Sequence, residues 1–243
     1  MQTTTPRPRL ATSNTALWPV LRVALLTTGA VTVLARVLPE TWAATGVSAC
    51  FFALCYALVL RDEPSTAAQF GMRLGGLFEP APLDIKQMLR ETSRALGWAL
   101  LLGLICFPLF WVGYVVWWSP EQAFRSTVHA GLLEDILGQL VVIALPEEMF
   151  YRGYLQTALD RARPTRVRIL GADLGVGVVL SSAIFALGHL ATQLDPARLS
   201  VFFPSLLFGW LRARTGGIGA SVFFHALCNL FAAYLARSYG LLP

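Results

Sequence analysis

The stretch Ala95–Trp118, ALGWALLLGLICFPLFWVGYVVWW, contains no charged side chain. About 20 apolar residues in a helix cross the roughly 30 Å of hydrocarbon in a bilayer, so this run is long enough to span a membrane. Working outward, further runs fall at about 17–38, 42–60, 136–159, 170–190, 199–211 and 218–236, with the sixth short enough to be partly re-entrant. The expected fold is therefore all-α: a polytopic membrane bundle of about seven transmembrane helices. Composition agrees, since 14% charged residues, 56% apolar residues and a mean hydropathy of +0.60 exclude an ordinary soluble domain.

The net charge of +5 matters less than its placement. Arg7 and Arg9 lie in the N-terminal tail, and Arg61, Arg73, Lys86, Arg90 and Arg94 in the 61–94 segment. Arg161, Arg163, Arg166 and Arg168 follow the fourth run, and Arg212 and Arg214 the sixth. The intervening loops carry Arg125 against Glu121, Glu134 and Asp135, and Arg198 against Asp195. Every second loop is basic, which places the N-terminus in the cytoplasm and, with an odd number of spans, the C-terminus outside. Membrane topology explains this charge, and no nucleic-acid partner is expected. Arg22 and Arg36 bracket an opening run without an A-x-A cleavage site, so it reads as a retained span, not a signal peptide.

Within 82–94, Pro82 and Asp84 suit a helix start, Ile85, Met88, Leu89 and Leu96 recur at helical spacing, and Lys86, Arg90 and Arg94 form a basic line. That pattern predicts an interfacial amphipathic helix on an anionic leaflet. The chain divides into an N-terminal membrane region, 1–94, and a core, 95–243, whose motifs fall within 135–236. Cys50, Cys55, Cys106 and Cys228 lie in apolar runs without C-x-x-C spacing and read as small buried hydrophobes.

Ionisable groups at bilayer depth are costly unless paired or hydrated, and three places carry them. In Pro146-Glu147-Glu148-Met149-Phe150-Tyr151-Arg152, helical spacing sets Glu148 against Arg152, while Glu147 projects about 100° away. Glu148–Arg152 is the expected structural pair and Glu147 the free carboxylate, suited to general-base work. Pro146 cannot donate to the carbonyl of Val142, so a kink that admits water is expected there. Taken alone, this cluster reads equally as a lock between helices. Phe185-Ala-Leu-Gly188-His189 ends the fifth run, with Gly188 allowing a neighbouring backbone near the imidazole. In the last run His225 and Asn229 are four apart, on one face, and can donate to an oxyanion; polar glue between helices is the bland reading. His129, in a loop, has no evident companion. Together the three places hold the parts for attack of water on an amide.

The ordered set E-E-x-x-x-R, F-x-x-x-H and H-x-x-x-N, read in Glu147, Glu148 and Arg152, in Phe185 and His189, and in His225 and Asn229, resembles the CAAX protease and bacteriocin-processing family of glutamic-type intramembrane endopeptidases. The turn Arg214-Thr215-Gly216-Gly217 is also similar to that family. The resemblance covers about 135–236. It implies that Glu147 and His189 activate water and that His225 and Asn229 hold the oxyanion, with Glu148, Arg152 and Phe185 in support and without cofactor or metal. Phe107–Tyr114 with Trp117 and Trp118 is similar to the myxosortase branch, which implies processing of C-terminal tails of membrane or surface proteins. One lysine among nineteen basic residues suits a bacterial inner membrane. The expected partners are a membrane-anchored protein or peptide substrate and the lipid bilayer.

Two alternatives remain open at this stage. Glu147, His189 and His225 also offer two nitrogens and one oxygen to zinc, although no H-E-x-x-H is present. A non-enzymatic scaffold, immunity factor or transporter would also bury such residues, but no paired halves are visible.

Overall fold

The computed structural model describes residues 16–61, 64–76 and 82–242. Arg7 and Arg9 of the topology expectation lie outside them. Helices α1 (Leu17–Val37) and α2 (Glu40–Cys55, continued by a π-helical turn Tyr56–Leu60) form the first hairpin, followed by the short α3 (Pro64–Gln69). Helix α4 runs from Ile85 to Trp118. A continuous helical run over 132–162 contains the fourth expected span, 136–159. It is assembled from α5 (Leu132–Leu137), a π-helical stretch Gly138–Ala144, α6 (Leu145–Glu148), a second π-helical stretch Met149–Leu155, and α7 (Gln156–Ala162). A hairpin of β1 (Val167–Ile169) and β2 (Ala172–Leu174) leads into α8 (Val176–Thr192), α9 (Phe202–Thr215) and α10 (Gly219–Ser238).

Among the described residues, four helices are long and apolar enough to cross a membrane: α1, α2 with its π-helical extension, α4 and α10. The 132–162 run, α8 and α9 fill the other three expected places, and the architecture is an all-α membrane bundle. The most apolar windows of α1, α2 and α4 bury only 22%, 22% and 17% inside the protein, against 39% for α10. Leu25, Leu26, Leu104 and Val116 are exposed, as suits helices whose outer faces meet lipid. The 132–162 run is the opposite: Met149, Phe150, Leu155 and Leu159 are fully buried and pack against α1, α2, α8 and α10. Small residues bring helices close, as where a Cβ on Gly219 of α10 would lie 3.4 Å from the Ala95 side chain of α4.

Three details depart from the expectations. Asp84 does cap a helix, accepting hydrogen bonds from the backbone N–H groups of Lys86 and Gln87. That helix, however, continues unbroken through residues 94 and 95, so the amphipathic segment is the first part of α4 and not a separate element. At 1.5 Å per residue α4 is about 51 Å long, well beyond the hydrocarbon thickness, so its charged first turns extend toward the headgroups. Second, residues 170–174 belong to a β-hairpin. Val167 pairs with Leu174 and Ile169 with Ala172 across Leu170 and Gly171, whose φ values of 48° and 77° are those of a two-residue primed turn. The fifth helix therefore starts at Val176. Third, Pro146 is accommodated between two π-helical stretches. Leu145 N–H bonds the carbonyl of Leu140 and Gln156 N–H that of Tyr151, five residues back, so widened turns flank the proline that cannot donate.

Candidate active site

The π-helical stretches carry the acidic pair to the middle of the bundle. Glu148 and Arg152 keep their i, i+4 contact, with Arg152 Nη1 3.1 Å from Glu148 Oε1, and both side chains are 0% exposed. Additional hydrogen bonds offset part of the desolvation cost of a buried ion pair. Here Arg152 Nη2 donates to Ser205 Oγ at 2.6 Å and to the Ser205 carbonyl at 3.3 Å. Its guanidinium lies between the Phe185 and Phe208 rings, 4.7 and 5.0 Å from their centroids. One turn on, Gln156 donates to the Gly209 carbonyl. Arg152 and Gln156 thus dock on Ser205 and Gly209 as two rungs between the central run and α9. A Cβ on Gly209 would come within 3.0 Å of Gln156 Oε1, so glycine is what permits the approach.

His225 of α10 completes the buried group. Its Nδ1 is 3.0 Å from Glu148 Oε1 and its Nε2 3.8 Å from Glu147 Oε2. The ring stacks on Phe208 at 4.8 Å and 14°. The ion-paired Glu148 carboxylate accepts, so Nδ1 carries the hydrogen and Nε2 is the atom turned to Glu147. Glu147 differs in exposure and partner: its side chain is 14% exposed and makes no arginine contact, while Oε2 of both glutamates is buried without a hydrogen-bond partner. Of the two glutamates, Glu148 thus contacts both Arg152 and His225, and Glu147 contacts His225 alone.

His189 enters from α8. Its Nδ1 is 3.1 Å from the carbonyl of Phe185, and a carbonyl only accepts, so Nδ1–H donates and the neutral ring keeps a lone pair on Nε2. Glu147 and His225 both lie within electrostatic reach of this imidazole. Phe185 is the common neighbour, with ring centroids 4.3 Å from His189, 5.9 Å from His225 and 4.9 Å from Tyr151. Gly188 faces a side chain instead of the expected backbone: a Cβ there would meet Tyr151 Oη at 3.3 Å.

Asn229 lies one turn beyond His225 but engages a different partner. Its Nδ2 donates to Gln139 Oε1 at 2.8 Å, which leaves its second N–H available. His225 and Asn229 are thus held by different groups, one by the acidic pair and the other by Gln139 of the first π-helical stretch. His129 proves to have companions. Nε2 is 2.9 Å from Asp135, Asp135 also binds Arg237 at 3.1 Å, and Gly131 N–H donates to Nδ1.

The sequence reading did not single out Ser205, Phe208, Gln156 or Gln139. Gln139 stands two turns before Glu147 in an otherwise apolar stretch and was detectable as a polar intruder. Serine and phenylalanine are ordinary in membrane helices, so Ser205 and Phe208 gave no signal. Among the described residues no group of three His, Cys, Asp or Glu side chains is arranged to hold a metal ion.

Comparison with curated proteins and with solved structures gives no match. Residues 129–231 match the family model described as type II CAAX prenyl endopeptidase Rce1-like, so the segment that carries Glu147, Glu148, Arg152, Phe185, His189, His225 and Asn229 is similar to that protease family.

Proposed function

We propose that the protein is a glutamic-type intramembrane endopeptidase that cleaves a membrane-anchored protein by direct attack of water. The observation that carries this reading is Glu147 Oε2, buried without a hydrogen-bond partner and 3.8 Å from His225 Nε2, on a glutamate that lacks the arginine contact holding Glu148. The charges of Glu148 and Arg152 cancel, so the reactive part of the cluster reduces to Glu147 and two imidazoles.

In the forward step Glu147 accepts a proton as the water oxygen bonds to the scissile carbonyl carbon, with His189 Nε2 orienting the same water. The tetrahedral oxyanion is met by the free N–H of Asn229 and, in the doubly protonated form of His225 whose Nδ1–H stays on Glu148, by its Nε2–H. Collapse restores the carbonyl and breaks the C–N bond, and the proton on Glu147 passes to the leaving nitrogen. Phe185, Glu148 and Arg152 fix the imidazoles and touch no reacting atom.

The substrate on this reading is the C-terminal tail of a membrane or surface protein, processed at a bacterial inner membrane with the N-terminus of the enzyme in the cytoplasm. The alternation of basic loops supports that orientation. The test compares membrane and surface proteomes of wild-type and Glu147→Gln cells by C-terminal peptide mapping. Proteins that keep an apolar tail only in the mutant identify reaction and substrate together. Identical C-termini in both strains, with the variant folded in the membrane, would discard the proposal.

A further inference from the structure

Away from the acidic cluster, α4, the β-hairpin, α8 and α9 surround an open apolar groove of about 620 Å³, lined by Leu102, Val167, Leu170, Val179, Leu207 and Trp210 among others. The hairpin offers its apolar side chains outward, with Leu170 at the turn 83% exposed. In water such a tip is costly; beside a bilayer it is a surface for lipid.

The groove has a cationic end. A Cβ on Gly171 would lie 3.2 Å from Arg214 Nε, so the guanidinium rests against the hairpin turn. It also lies 5.0 Å from the Trp98 ring centroid, and its Nε is shielded from solvent without a hydrogen-bond partner. Trp98 packs edge-on to Trp210 at 5.7 Å, and the Trp210 indole donates to the carbonyl of Ile169. Arg166 and Arg168 are paired with Asp160 and Asp173, whereas among the described residues Arg94 and Arg214 make no ion pair. Along α4, Arg94, Trp98 and Leu102 recur every four residues, hence on one face, and pass from charge to indole to hydrocarbon over about 12 Å. That is the polarity profile of a phospholipid from headgroup to acyl chain, with indoles at the interfacial level.

We propose that this groove binds an anionic glycerophospholipid, one acyl chain lying between the hairpin, α8 and α9 and the phosphodiester held by Arg214 with Arg94. A neutral zwitterionic lipid would fill the same groove but leave the two arginines without net compensation. The bound chain would rest on α9 through Leu207, the helix whose Ser205 and Phe208 hold Arg152 and His225. Occupancy should therefore also raise thermal stability, because a ligand that binds only the folded protein stabilises it.

The test uses the full-length chain in neutral detergent, with phosphatidylglycerol or phosphatidylcholine of identical acyl chains added. Retained lipid is counted by native mass spectrometry, and the thermal midpoint is read in parallel. The wild type should keep phosphatidylglycerol in preference and melt higher with it. Arg214→Gln should lower phosphatidylglycerol retention by about fivefold, the effect of one cation facing an anionic headgroup, while Arg214→Lys keeps most of it. Val179→Trp, at the exposed lip of the groove, should displace the chain while leaving both arginines in place. Equal retention of the two lipids by the wild type would overturn the proposal. So would phosphatidylglycerol binding untouched by Val179→Trp, which would indicate an anion site independent of the groove, or untouched by Arg214→Gln.

Discussion

Two histidine–carboxylate–arginine groups occur among the described residues, and they differ in nearly everything except residue type. In the core, His225, Glu148 and Arg152 are almost wholly removed from solvent, and Arg152 is further held by Ser205 and two aromatic rings. At the rim, His129, Asp135 and Arg237 make contacts of similar length, 2.9 and 3.1 Å, but the first two side chains are 33% and 34% exposed. Water can replace a lost partner at the rim and cannot do so in the core. Equal distances therefore conceal very unequal energies: breaking a buried pair costs about 3–5 kcal/mol, whereas an exposed pair contributes at most about 1 kcal/mol.

The largest effect expected is on chemistry. Glu147→Gln, at the carboxylate of the core cluster without an arginine partner, should reduce cleavage by about 100- to 10,000-fold while the thermal midpoint in detergent stays near that of the wild type. Unchanged turnover of a purified substrate would remove Glu147 from the reaction. Next comes Arg152→Ala, which strands Glu148 and should lower stability by about 3–5 kcal/mol, visible as reduced accumulation in the membrane and early melting. Adding Glu148→Gln to it should restore part of the loss; if Arg152→Ala alone accumulates and melts normally, the contrast between core and rim is wrong.

Ser205→Ala is a finer probe. It removes one hydrogen bond to a charged group and should cost about 1.5–3 kcal/mol, with cleavage per folded molecule largely kept. A drop in turnover without a drop in melting would mean that Ser205 acts on the site and not on its frame. The smallest effect is expected from Asp135→Asn, below about 1 kcal/mol. His129 and Arg237 together hold the Asp135 carboxyl below its ordinary range, the hydrogen bond from His129 being the larger influence. A carboxyl lowered on folding stabilises above its unfolded value and loses that contribution as pH falls through the folded one. The difference between wild type and Asp135→Asn should thus be present near neutrality and vanish in acid; a difference that grows on acidification would contradict the pairing.

Much of this was readable in the chain. Long uncharged runs such as Ala95–Trp118 admit few folds, because backbone groups in lipid must be satisfied within helices. The i, i+4 spacing of Glu148 and Arg152 survived even the π-helical turns that Pro146 introduces. The hairpin at 167–174 escaped notice because Val167, Ile169, Leu170 and Leu174 continue the hydropathy of the helix that follows, and only the turn at Leu170-Gly171 separates them. The partners on other helices were illegible for a simpler reason: nothing local distinguishes Ser205 from any other serine in a membrane helix.

The sequence by itself determined that this chain is a membrane helix bundle and which of its ionisable side chains lie in apolar runs, since solvation is a property of composition and local spacing. Which of those side chains meet was decided only by the tertiary structure. His225 turns to the acidic pair, Asn229 to Gln139 and Arg152 to Ser205, because helix rotation and crossing are fixed by packing between segments far apart in the chain.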